Sequence, residues 1–113
     1  MTDKNALYPV FFKQDQLRLL LVGGGNVGEE KLHSLLSNSP EVKITIVADR
    51  VKDTVREYIK EFPGCTLIER SFSPEDLDGK NMVMLATDDK ELHAYIRDLA
   101  TDRNIFVNVA DTP

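Results

Sequence analysis

Apolar positions along this 113-residue chain alternate between two rhythms. From 17 to 23, LRLLLVG is a nearly unbroken apolar run ended by glycines, which predicts a strand buried on both faces. From Val27 to Ser37 the period changes. Leu32, Leu35 and Leu36 recur at helical spacing, Glu29, Glu30 and Lys31 are assigned to the water side, and NSP at 38–40 ends the helix. VKITIVA at 42–48 is rich in β-branched residues and predicts a second strand. A second helix then carries Val51, Val55, Tyr58, Ile59 and Phe62, closed by FPG at 62–64.

CTLIERSF at 65–72 predicts a third strand. Ser73 as N-cap and Pro74 at the first helical position then open one turn of helix in SPEDLDG. NMVMLAT at 81–87 is a fourth strand, 88–103 a third helix with Leu92, Ile96, Leu99 and Ala100 on one side, and NIFVNVAD a fifth strand. YPVFF at 8–12 is a candidate extra edge strand. Strands alternating with helices define an α/β class, a three-layer, doubly wound parallel sheet of about five strands in the order 3-2-1-4-5. The length fits a single domain over 1–113.

Composition narrows the function classes. Hydrophobic residues form 42% and charged residues 29%, ordinary for a soluble protein. Fourteen basic against nineteen acidic residues leave a net charge of −5, which argues against bulk attraction to nucleic acid or to an anionic membrane. The lone Cys65 has no partner for an internal disulfide and is expected to be a reduced, partly buried thiol. No apolar run reaches membrane-spanning length and no signal-peptide pattern opens the chain, so a cytoplasmic location is expected.

Gly23, Gly25 and Gly28 match G-x-G-x-x-G, directly after a buried strand and opening an amphipathic helix. In that context each glycine has its own task. Gly23 turns the chain, Gly25 lets backbone approach a pyrophosphate, and Gly28 lets helix and strand pack closely. Free amides around Asn26 and Val27 would receive the anion. Asp49 lies 24 residues after Gly25, near the usual interval of about 20 for the carboxylate that binds the adenosine ribose. That favours NAD over NADP, although Arg50 beside it could receive a 2′-phosphate, and Asp49 could instead be an acid at a helix start. Thr87, Asp88 and Asp89 fall beyond the fourth strand, and one of the aspartates is expected to cap the third helix. Asp111 ends the fifth strand with no helix to cap, which makes it the candidate acid–base carboxylate. His33 and His93 lack ligand-spaced partners, so no metal site is expected, and both are read as surface or helix-flank residues.

YPVFF, LRLLLVGGGNVGEEK, RSFSPEDLDGKNMVMLATDDKEL and IFVNVADTP, in this order, resemble the N-terminal module of the siroheme synthases. That family comprises precorrin-2 dehydrogenases that are often also sirohydrochlorin ferrochelatases. The resemblance covers about residues 7–113 and implies NAD-dependent oxidation of the tetrapyrrole precorrin-2 to sirohydrochlorin, with insertion of ferrous iron at the same site in bifunctional members. It implies cofactor contacts from Asn26, Val27, Asp49 and Arg50, a catalytic role for Asp111, and a homodimer for the full-length protein. Alanine is usual in the family where Gly28 stands, a difference expected to be harmless to packing. Glu30 replaces a common arginine, and His93 a common asparagine. The family continues beyond NVAD into a dimerisation region that helps enclose the tetrapyrrole. The chain is therefore expected to be a truncated piece, inactive alone. Rival readings are an NAD-sensing regulatory domain of a potassium transport system, which also carries an ATDD-like stretch, and the cofactor domain of another dehydrogenase.

Overall fold

The computed structural model describes residues 17–110. Five parallel strands form one sheet: β1 (Arg18–Gly24), β2 (Lys43–Val51), β3 (Cys65–Ile68), β4 (Met82–Leu85) and β5 (Phe106–Val109). Their order is β3-β2-β1-β4-β5, as the alternation predicts. The connections are α1 (Asn26–Asn38), α2 (Asp53–Ile59), a 3₁₀ turn at Pro74–Leu77, and α3 (Lys90–Asp102). The candidate edge strand at 8–12 lies outside the described residues, as does Asp111.

Successive residues of a strand face opposite ways, so β1 serves two cores. Leu19 and Leu21, with Ile44 and Ile46, pack against Leu32 and Leu36 of α1 and Val55 and Ile59 of α2. Leu20 and Val22, with Val83 and Leu85, pack against Leu77, Ile96 and Ala100 on the other face. The Leu19–Val22 run is buried throughout, which is why it reads as continuous rather than alternating. Half-buried Cys65 has its thiol pKa pushed up by burial, which favours the protonated form.

The largest departure from the sequence reading concerns β2. It runs on to Val51, which pairs with Gly24 instead of starting a helix, and α2 is shorter than its apolar pattern implies. Val22 pairs with Val47 and Gly24 with Val51, so β2 carries Ala48, Asp49 and Arg50 where β1 has only Gly23. Such a bulge re-aims side chains at the end of a sheet. Asp49 is therefore a strand residue, not an acid at a helix start. The third and fifth strands are likewise shorter than their apolar runs. Ser73 does open a single turn, at Pro74, with its N–H donating to Asp76 Oδ2 at 2.8 Å.

Candidate dinucleotide groove

The carboxyl ends of β1, β2 and β4 meet at a groove of about 720 Å³. A ligand site is expected there in an open α/β sheet, where the connections leaving β1 and β4 depart in opposite directions. The glycine loop forms its floor. Gly23 has φ +127°, and a Cβ added to it would overlap the Ala86 carbonyl oxygen and lie 2.9 Å from its carbon. A Cβ on Gly28 would overlap the Gly23 carbonyl oxygen, so α1 rests directly on the loop. The alanine expected to be harmless at this position therefore requires the loop to shift.

Gly25 differs from both. A Cβ there would meet no protein atom within 4 Å and would project into open space. Gly25 is the N-cap of α1 and provides no side-chain cap. The first amides of the helix are accordingly left for an anion. This loop fits a dinucleotide pyrophosphate on its own geometry: Gly23, Gly24 and Gly28 are demanded by packing, and Gly25 by nothing in the chain itself.

Asn26 and Val27 line the groove, as predicted. Lys52 Nζ donates to Asn26 Oδ1 at 2.8 Å and to Glu29 Oε1 at 2.9 Å, while Lys52 N–H donates to Gly24 O at 2.9 Å. An ammonium only donates, so it fixes the Asn26 carbonyl and leaves that residue's amide N–H₂ as the end available to a ligand. Hydrogen bonds from Thr54 and Lys52 hold the Glu29 carboxyl below the usual carboxylate range. Gly24 and Lys52 escaped the sequence reading. Their roles depend on the β2 extension, which has no local signal.

Asp49 and Arg50 line the same groove from the bulge, both exposed. Across β1, Thr87, Asp88 and Asp89 line it beyond β4. Asp89 is the aspartate that caps α3, accepting from Leu92 N–H at 3.0 Å. Thr87 Oγ1 accepts from Asp89 N–H at 3.1 Å and lies 2.9 Å from His93 Nε2. His93 is buried, at 9% exposure, so the surface reading fails for it. The hydroxyl next to it supplies the polar partner that a buried imidazole needs. His33, by contrast, is exposed and stacks on Tyr58 with ring centroids 3.9 Å apart.

Arg70 and Phe72, beyond β3, also line the groove and were not anticipated as site residues. Arg70 makes a fork with Asp76, Nη1 to Oδ2 at 2.9 Å and Nη2 to Oδ1 at 2.6 Å. Burial of Asp76 by itself would raise its pKa. The Arg70 bond, the Ser73 N–H and the nearby positive charges outweigh that effect and hold the carboxyl below its usual range.

A parallel sheet in this order, with a glycine loop built around a vacant-sided Gly25, defines a dinucleotide-binding domain of Rossmann type. Residues 10–113 match the NAD(P)-binding family model NAD_binding_7, and the chain belongs to that family. Among curated relatives it is similar to siroheme synthase of Pseudoalteromonas atlantica, 38% identical over 104 residues, covering 92% of this chain and 22% of that protein. It is also similar to siroheme synthase 2 of Aeromonas hydrophila, 34% identical over 105 residues, covering 93% of this chain and 21% of that protein. The chain thus spans about a fifth of the length of these relatives. Among solved structures, SirC, precorrin-2 dehydrogenase, shares the fold with a TM-score of 0.73 at 22% identity, over 95% of this chain and 51% of that one. The resemblance read from the four sequence pieces is borne out, and NAD is the cofactor that fold and family support.

Proposed function

We propose that the chain is the NAD-holding domain of a precorrin-2 dehydrogenase, oxidising precorrin-2 to sirohydrochlorin. The observation that carries this reading is the contrast within the glycine loop, where Gly25 alone faces open space at the sheet's carboxyl edge. Bound in the groove, NAD supplies a two-electron hydride acceptor. The chain's own residues do the rest. The amides at Asn26 and Val27 and the oriented Asn26 amide hold the pyrophosphate. Asp49 accepts from the ribose hydroxyls and disfavours a 2′-phosphate, with Arg50 beside it. Thr87 and Asp88 flank the opposite half. Asp111, following β5, accepts the proton released as hydride leaves the tetrapyrrole.

Ferrous iron as a second substrate, with Asp111 assisting deprotonation of the pyrrole nitrogens, belongs to the same proposal. So do a homodimer for the full-length protein, a cytoplasmic location, and residues 1–113 as one domain without turnover alone. None of the described helices is long and apolar enough to cross a membrane.

Calorimetric titration with NAD tests the first part. Wild type binds, and Gly25→Ala loses at least tenfold in affinity at an unchanged melting temperature, because the methyl occupies ligand space only. Failure of wild type to bind NAD refutes the reading. In the full-length protein, Asp111→Ala is expected to slow NADH formation from precorrin-2 by about a hundredfold or more, the usual scale for a lost acid–base group. Unchanged rates remove Asp111 from its role.

A further inference from the structure

RSFSPED stands out in the sequence and its Arg70 and Phe72 line the groove, yet no role proposed so far uses it. In the structure it brings together a half-exposed arginine and a nearly buried carboxylate. The Arg70 side chain is 41% exposed and the Asp76 side chain 3%. Arg70 lines the groove on the β3 side, next to β2 and its Asp49–Arg50 bulge, with β1 separating it from the β4 exit. That places it at the adenosine half of a dinucleotide lying across the switch point.

The hydrogen bonding of Arg70 limits what it can do there. Nη1 donates to Asp76 Oδ2 and to Ser71 O, the latter at 3.0 Å, and Nη2 donates to Asp76 Oδ1. Three of the five guanidinium N–H groups are thus spent inside the loop, and the charge is matched by the carboxylate. A side chain in that state is a poor phosphate clamp. What it still offers is a flat face in a fixed plane, and guanidinium faces stack on aromatic rings. Asp76 is fixed in turn by the Ser73 N–H at the start of the 3₁₀ turn. The turn is anchored by Leu77, which is fully buried in the core below.

We propose that Arg70 is the stacking platform for the adenine ring and that Asp76 is the positioning residue that holds its plane. This rests on the NAD reading and deepens it. The β3–β4 connection then serves the cofactor as well as the core. Discrimination at this end comes from ring shape and stacking, while the charge at the neighbouring bulge reads the ribose.

Calorimetry with three probes tests it: AMP, nicotinamide mononucleotide and NADP, beside NAD itself. Arg70→Ala is expected to weaken AMP and NAD by about tenfold each and to leave nicotinamide mononucleotide unchanged. Arg70→Lys keeps the charge and the pair with Asp76 but has no planar face. It should fold like wild type and still lose AMP affinity. Full AMP affinity in Arg70→Lys overturns the proposal. So does a loss confined to NADP in either variant, since that would make Arg70 a phosphate ligand. Wild type that binds NAD and AMP, with both variants unchanged, sinks this inference and leaves the NAD reading standing. Wild type that binds neither sinks both.

Discussion

The two banks of the groove are built from different chemistry. On the β2–β3 bank the polar groups are charged: Asp49 and Arg50 exposed on a bulge, and Arg70 forked onto nearly buried Asp76. On the β4 bank the central groups are bonded to one another, with Thr87 between His93 and the Asp89 N–H and the Asp89 side chain committed to its helix, while Asp88 is exposed beside them. The first bank can select a ligand by charge and by a flat face. The second offers a hydroxyl already bonded on two sides and the exposed side chain of Asp88. Under the proposed function the first bank meets the adenosine ribose, whose 2′ position is where NAD and NADP differ in charge, and the second meets the nicotinamide half.

The sharpest way to break this contrast is at Asp76. Its folded-state pKa is depressed, so its contribution to stability is complete above the unfolded value near 4 and is lost as pH falls through the folded value. Asp76→Asn is expected to cost about 2 kcal/mol at pH 7, the ordinary scale for charged hydrogen bonds. The gap from wild type should close as pH falls from the unfolded value through the lowered folded value, read from melting temperatures across pH. A gap that is constant with pH would show that charge is not what the pair contributes.

Asp49→Asn tests whether the same bank reads charge in a ligand. It should narrow the preference for NAD over NADP by about tenfold, roughly 1.4 kcal/mol, measured as the ratio of dissociation constants. An unchanged ratio would move the selection to Arg50 or elsewhere. The smallest effect is expected on the β4 bank. His93→Leu and Thr87→Val should show a coupling of about 1 kcal/mol in a double-mutant cycle of unfolding free energies. Additive single effects would mean that the 2.9 Å contact contributes nothing.

Both banks were partly legible in the chain. Gly23, Gly25, Gly28, Asn26 and Val27 could be found because the glycine spacing and the change from strand to helix are local. Asp89 could be found because a cap precedes its own helix. Asp49 is legible from its distance along the chain, but its setting on a strand is not. A β-bulge requires the partner strand, and Val51 at helical spacing from Val55 mimicked a helix start. His93 was misread because burial on a helix depends on what packs there. Arg70 and Lys52 were missed for a related reason, since each takes its role from a contact with another element.

What the chain determines by itself is therefore periodic and short-ranged. Buried strands, amphipathic helices and glycine punctuation follow from residue geometry, and their alternation allows few topologies, of which 3-2-1-4-5 is the one formed. What only the tertiary structure decides is which polar groups are already spent. Lys52 fixes the Asn26 carbonyl, Asp76 occupies the Arg70 fork, and Thr87 is shared with His93. The physical reason is saturation. A donor bonded within the protein is no longer free for a ligand and an acceptor has one lone pair fewer, and that depends on neighbours brought together only when the sheet closes.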